Sequence, residues 1–453
     1  MVPEPVADPG PDASGPAPGH DRFRPSAPPD SLTPRWTGTL QRGSPFILLL
    51  WIVALHPSLP SAGWRADDPA ILEHALDAAS WWQPFVDGAF WRRLSPSNLT
   101  PWLTLSFDLD LHLAGARPGF FYAHQLTAFW LASWALQRLL LREAGPVVAL
   151  GTAMLFVAGP PALDVVELLM TRHYVEGLGF TLLAVHAWQR AMVAERGRAV
   201  CWTSAGALLY LLACTAKEIY VPLVMVLPFF PLGAGRRRLL RLLPFLAVAL
   251  GYAVWRGHML GATLGGYADA SGWPLAAAMA AVLDAYAGLP QLVFGPAWPL
   301  AAALAIAAAA FGWRACRHRL FVASIAVALL TPLAPLALSP GIREADRYLL
   351  LPWLGVCVAL GLGLAGAFAD RSPPRPHRHA SPYRNRVLRW LTAAAVSTTA
   401  GAALWQSHRL HEPRAAAHAE FDVQGRFILN AERGDAFIPT ARLSAGFWYV
   451  KGL

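Results

Sequence analysis

The stretch VCWTSAGALLYLLACTAKEIYVPLVMVLPFFPLGAGRRR, residues 200–238, decides how this chain folds. Residues 200–232 are predominantly apolar, with one charged break at Lys217-Glu218, and Arg236, Arg237, Arg238 and Arg241 follow. A helix that crosses the roughly 30 Å hydrocarbon core of a bilayer needs about 20 apolar residues, so the stretch is longer than one crossing by roughly half. A charge at the centre of a membrane helix costs at least about 2.5–3.5 kcal/mol. Lys217-Glu218 therefore belongs at helix ends near an interface, and the stretch reads as two short spans meeting at the outer face. The arginines that follow mark the cytoplasmic face, where Lys and Arg accumulate.

The same alternation runs along the rest of the chain. Further spans are expected near 44–60, 120–141, 145–161, 173–193, 242–260, 297–313, 319–338, 348–369 and 390–407. Together they make about eleven. Arg138 and Arg142, then Arg190, Arg196 and Arg198, then Arg314, Arg317 and Arg319 fall in every second break. Of the 453 residues, 55% are hydrophobic and only 14% charged, with a mean hydropathy of +0.38. Soluble proteins average about 25% charged residues. The expected fold class is therefore an all-α polytopic membrane protein.

Residues 1–43, rich in Pro, Gly, Asp and Ser, read as a disordered cytoplasmic tail. Residues 44–407 read as the transmembrane domain, and 408–453 as a short extracytoplasmic tail. Within the domain, 61–119 is a first outer loop whose Trp81, Trp82, Trp91 and Trp102 suggest amphipathic helices lying in the interface. The net charge of +9 sits mostly in the cytoplasmic breaks, so it argues for membrane insertion and anionic lipid headgroups. It does not argue for a nucleic-acid partner. A composition dominated by Ala, Arg and Pro suggests a bacterial inner membrane. No cleavable signal is visible before the first apolar run near Phe46. Cys201, Cys214, Cys316 and Cys357 lack metal-ligand spacing and read as packing residues.

The chemistry-bearing residues gather in the other set of breaks. Asp67-Asp68 follows the first span; one carboxylate can take a proton from an acceptor hydroxyl, and its neighbour can raise its pKa. The bland reading is a helix N-terminus, since Pro69 suits the first turn. Glu167, Arg172 and His173 open another break, Lys217-Glu218 a third, and Arg343, Glu344, Asp346, Arg347 and Tyr348 a fourth. A lysine can hold a phosphate as a point charge and an arginine as a two-pronged fork. The bland readings are a structural ion pair for Lys217-Glu218 and snorkelling anchors for the arginines.

Four landmarks occur in order: Asp67-Asp68, Thr171-Arg172-His173-Tyr174, Ala216-Lys217-Glu218, and Asp346-Arg347-Tyr348-Leu-Leu-Leu-Pro352. Over about 45–370 the chain resembles the polytopic GT-C glycosyltransferases. It is nearest the transmembrane O-mannosyltransferases that bear tetratricopeptide repeats, and their bacterial relatives. The resemblance implies transfer of a sugar from a polyprenyl-phosphate donor to an extracytoplasmic acceptor, with inversion. By similarity, Asp67 or Asp68 is the general base. Lys217, Arg347 and Arg172 hold the donor phosphate, supported by Glu218, Glu167, His173, Arg343 and Tyr348. The scheme needs no cofactor and no metal, although an acidic pair is able to bind a divalent ion. The partners it implies are the lipid-linked sugar, membrane lipids, and an acceptor that is a protein, a glycan or a lipid.

The chain departs from that pattern in three places. Leu99-Thr-Pro101-Trp102 stands where the family often has Tyr-Arg-Pro, and His124-Gln-Leu-Thr127 lacks the usual Asn. The repeats are missing. Two rival classes share the membrane composition: a lipid or sugar transporter or flippase, and a non-catalytic protein of envelope assembly. A transporter typically keeps its ionisable groups near the midplane, between repeated halves.

Overall fold

The computed structural model describes residues 35–230, 235–261, 319–330, 346–368 and 393–410, together with 390, 391 and scattered positions between 280 and 303. Several expectations lie outside the described residues. They are the tail before 35, the chain after 410, Arg343 and Glu344, the loop 371–389 and most of the span at 297–313.

The protein is all-α; the described residues contain no strand. Among them, five helices are long and apolar enough to cross a membrane. The first, α1 (Arg35–Leu55), buries Leu48 and Ile52 and exposes Phe46, Leu50 and Val53, as a helix between protein and lipid does. Four short helices follow between α1 and the next long helix: α2 (Asp68–Leu76), α3 (Gln83–Val86), α4 (Gly88–Leu94) and α5 (Pro101–Ala114). Pro69, Pro84 and Pro101 sit in the first turns of α2, α3 and α5, where proline loses no hydrogen bond. The Asp87 side chain caps α4 by accepting from the Phe90 N–H at 3.0 Å. Trp81 and Trp82 are exposed, but Trp91 is fully buried and donates to the Asn98 carbonyl. Trp91 is thus a core residue rather than an interfacial anchor.

Helix α6 (Pro118–Ala158) folds back on itself at Gly145, whose φ of +76° is open to glycine, just before Pro146. Trp130 and Trp134 ahead of this kink pack on the same buried cluster as Leu150 and Ala153 beyond it. In one straight helix the two groups would stand roughly 24–30 Å apart. α7 (Pro160–Glu167) then leads into α8 (Arg172–Val193). At 22 residues, α8 is long enough to cross, at about 33 Å. It carries Arg172, His173 and Glu176, all buried where it packs between α6 and α9 (Arg196–Ala216), so these meet protein rather than lipid, while Arg190 in its last turn is exposed.

The deciding stretch forms α9 and then a run of short turns, not two regular spans. Lys217 is extended (φ −157°, ψ 141°) and ends α9. After it come a 3-10 turn (Glu218–Tyr220), α10 (Leu223–Val226) and a second 3-10 turn (Leu227–Phe229). Pro222 and Pro228 explain the breaks, because proline cannot continue a helix interior. The next span, α11 (Gly235–Leu260), begins beside the end of α8: Arg241 reaches the Met192 sulfur at 4.0 Å. It ends beside the polar break, with Arg256 3.9 Å from Glu218. α9 and α11 therefore run in the same sense, and the short turns return the chain from one face to the other. Among the described residues α12 (Arg319–Leu330) and α13 (Leu350–Phe368) follow, with α13 packed on α6 and α12, and residues 393–410 are helical as well.

Candidate functional site

The turn that opens α2 is tightly held. The Arg65 backbone N–H donates to Asp68 Oδ2 at 2.8 Å, and the Asp68 N–H donates back to the Arg65 carbonyl at 3.0 Å. Between them Ala66 takes a φ of +47°, a left-handed conformation that costs an alanine roughly 1–2 kcal/mol. The Arg65 side chain is buried, donates to the Glu167 carbonyl at 3.2 Å and lies 5.6 Å from the Tyr122 ring. Trp64 packs edge-on against Phe121. These contacts fix two carboxylates in unlike settings. Asp68 is 0% exposed; Asp67, at the N-cap position without a capping bond, faces outward. Burial pushes the Asp68 carboxyl up to about 7, although the N–H groups of Arg65 and Met170 pull it down. Desolvation also raises Asp67, opposed by the nearby charge of Arg347.

Arg347 belongs to a second group that the fold brings to the same place. It lies in the turn Asp346–Leu349, stands 5.6 Å from the Tyr348 ring and is close enough to the Tyr174 hydroxyl for the two to interact electrostatically. The Tyr174 and Tyr348 rings meet edge to face at 6.0 Å. Lys217 Nζ is 5.4 Å from the Tyr174 ring centroid and 3.5 Å from Glu218 Oε2. His173 is buried where the charges of Lys217 and Arg347 both reach it. Asp67, Arg347, Tyr174, Tyr348, His173 and Lys217 thus form one polar wall built from four separate segments.

The other expected residues are turned elsewhere. Arg172 is fully buried, and its guanidinium donates to Asp110 Oδ2 at 2.6 Å, Ser106 Oγ at 3.3 Å and the Phe121 carbonyl at 2.8 Å. It also lies between the Phe107 and Phe121 rings. Its guanidinium thus pairs with a carboxylate of α5 and stands apart from Lys217 and Arg347 in its contacts. Glu167 stands 3.8 Å from His56 and, through its carbonyl, anchors Arg65. Glu218 accepts from the Leu99 N–H at 2.6 Å and also faces Arg256, so it ties the first outer loop to α11.

Sequence reasoning named Tyr174 and His124 only within motifs, without a role at the site, and missed Asp110, Glu176 and Arg256. Two spacings could have found some of them. Trp102, Ser106 and Asp110 stand four residues apart on one face of α5, and Glu176 is one helical turn beyond Arg172. Nothing local marks Arg256.

An apolar groove is lined in part by residues within about one turn, along the chain, of Lys217 and Arg347. It is narrow, with a cavity volume of about 80 Å³. Ile219 and Tyr220, just past Lys217, line it together with Leu351 and Leu354, just past Arg347. Leu139 and Val327 close its flanks. Among the described residues, no three His, Cys, Asp or Glu side chains are grouped to hold a metal ion.

No protein-family model and no curated protein sequence matches the chain. Among solved structures it is similar to the oligosaccharyltransferase of Archaeoglobus fulgidus in complex with Zn and sulfate. That likeness has 14% identity and a TM-score of 0.47, over 80% of this chain and 53% of that one. It is similar also to the same enzyme tethered to an acceptor peptide containing the NVT sequon, at 15% identity and a TM-score of 0.46 over 82% and 55%. A third is the archaeal oligosaccharyltransferase AglB of that organism with an inhibitory peptide and a dolichol-phosphate, at 14% identity and 0.46 over 83% and 56%. The chain spans about half the length of each of these proteins.

Proposed function

We propose that this chain is a membrane glycosyltransferase of the GT-C type. It moves a sugar, with inversion, from a polyprenyl-phosphate donor to a hydroxyl-bearing acceptor outside the cytoplasm, in a bacterial inner membrane. The observation that carries this reading is the junction of polar wall and apolar groove. A substrate with one anionic head and a long hydrocarbon tail matches both surfaces at once.

In this scheme the tail lies in the groove along Ile219, Tyr220, Leu351 and Leu354. The phosphate meets Arg347, with Lys217 behind it. Asp67, the exposed member of the pair, takes the proton from the acceptor hydroxyl as its oxygen attacks the sugar's anomeric carbon. The bond from that carbon to the phosphate oxygen breaks, and the electron pair leaves on the phosphate. Arg347 and Lys217 neutralise this growing charge, where the low dielectric strengthens the contact. Asp68 holds the turn that aims Asp67.

The test is donor consumption by purified full-length chain in lipid nanodiscs supplied with polyprenyl-phosphate-linked sugars. Asp67→Asn is expected to lower turnover by about 10²–10⁴-fold, the usual contribution of a general base. Turnover that survives Asp67→Asn undiminished rejects the assignment. The second reading, a lipid transporter, draws on the same groove, which also reaches Gln189 and Phe230. Lipid movement between leaflets without donor consumption would favour it.

A further inference from the structure

Between α9 and α11 lies a second apolar hollow, with a cavity volume of about 660 Å³. It shares no lining residue with the groove beside Tyr220. Leu212 lines it from α9 and Val248 from α11, while Phe85 and Trp102 reach it from the short helices α3 and α5. Trp81 and Trp82, just before α3, line it as well and are more than half exposed, as tryptophans at a membrane interface are. The more buried polar tips of the lining are turned into the protein. The Trp102 indole donates to Glu176 at 2.8 Å and the Trp255 indole to the Phe85 carbonyl at 2.8 Å. The Tyr252 hydroxyl donates to the Leu99 carbonyl at 3.5 Å and the Thr215 hydroxyl to the Leu212 carbonyl at 2.9 Å. These side chains offer the hollow ring faces and methyl groups.

That chemistry selects the occupant. An ordered water needs several polar partners, and the groups here are already engaged. A sugar would bring hydroxyls that find no partner, at a cost for each one buried. A hydrocarbon chain needs none, and the volume falls in the roughly 300–1,000 Å³ range of ligand pockets. Lipid also reaches the edge of the hollow. Leu250 and Val254 of α11 adjoin the lining residues Gly251 and Trp255, and both are more than half exposed. We propose that the hollow is a binding site for one hydrocarbon chain of a bilayer lipid, with the headgroup at the level of Trp81 and Trp82. The chain fills the space that α3 and α5 leave against the two spans. It also lies against the tie to the polar break, since Tyr252 reaches Leu99, whose N–H donates to Glu218 at 2.6 Å.

Gly251 provides the test, because it lines the hollow and a Cβ built on it meets nothing within 4 Å. The full-length chain is placed in nanodiscs containing phosphatidylglycerol with a photoactivatable diazirine midway along one acyl chain. Labelled residues are then mapped by peptide mass spectrometry. Wild type is expected to be labelled at Leu211, Leu212 and Val248, as well as at the outward-facing Leu250 and Val254. Gly251→Phe fills the hollow and is expected to lose the first set of labels while keeping the second. Gly251→Ala leaves room for the chain and is expected to keep both. Ala247→Leu, at another lining position, is expected to weaken the first set and serves if Gly251→Phe does not fold. A wild-type chain without the first set, or a folded Gly251→Phe that retains it, overturns the proposal. So does polyprenyl monophosphate that clears the first set better than an equal amount of unlabelled phosphatidylglycerol, because the hollow would then belong to a prenyl tail.

Discussion

Ala66 occupies the least comfortable backbone conformation among the described non-glycine residues, and the two residues after it are the carboxylates. The turn is held from outside by Arg65 on the Glu167 carbonyl, so the contacts of neighbouring helices offset the strain. The pair was legible in the sequence because two aspartates beside apolar spans have no cheap alternative. Their division of labour was not, since it depends on which side chain the turn buries. Nor was the engagement of Arg172, whose partner Asp110 lies 62 residues away along the chain. One consequence concerns pH. Asp68 is pushed up to about 7 in the folded state from an ordinary value of 3.8, so between those values the native chain binds a proton that the unfolded chain has lost. Stability from this group is full below about pH 4 and is lost as pH rises toward 7. Thermal unfolding of Asp68→Asn in detergent is expected to lose less stability than wild type between pH 5 and 8; parallel slopes would contradict the buried, protonated carboxyl.

Elements show a different balance. The fold-back of α6 was readable from Gly145-Pro146, and the basic breaks placed the helix ends well. The sequence suggests two short spans meeting at Lys217-Glu218; in the structure the second part returns the chain through turns broken at Pro222 and Pro228. The packing that fixes this break depends on a glycine that no local pattern marks. A Cβ on Gly177 would stand 2.3 Å from the Tyr220 ring, and the Tyr220 hydroxyl donates to the Tyr174 carbonyl. On the same helix, a Cβ on Gly179 meets nothing closer than 3.9 Å. Gly177→Ala is therefore expected to destabilise the protein by about 1–3 kcal/mol through overpacking and to displace Lys217. Gly179→Ala is expected to be neutral or mildly stabilising through helix propensity. Thermal unfolding of the two variants side by side decides it; equal effects would dissociate Tyr220 from the polar wall.

For the whole molecule, membrane residence and helical class followed from composition and charge alternation, which require no knowledge of packing. The convergence of Asp67, Lys217 and Arg347 could only be expected from their shared side. Its geometry depends on how α2, α8, α9 and α13 meet. The junction of charge and groove makes a global prediction. A ligand that binds only the folded state stabilises it, by about 2.7 kcal/mol at a hundred times its Kd. Polyprenyl monophosphate is expected to raise the thermal transition of the wild-type chain, and Lys217→Gln with Arg347→Gln to remove the rise. An unbranched alkyl phosphate of similar length provides the comparison for tail shape.

The parallel run of α9 and α11 carries one more consequence. The chain between them comes back through short turns whose carbonyls are met by side chains from both helices: the Tyr210 hydroxyl donates to Val221, and Arg238 donates to Pro228 and Phe230. The space between α9 and α11 is left open as the second apolar hollow, lined by Leu211 and Leu212 from one helix and by Val248 and Gly251 from the other. The groove beside Ile219 and Tyr220 is lined instead by Leu139 of α6 and Val327 of α12, so a change in the spacing of those two helices widens or narrows one hollow without touching the other.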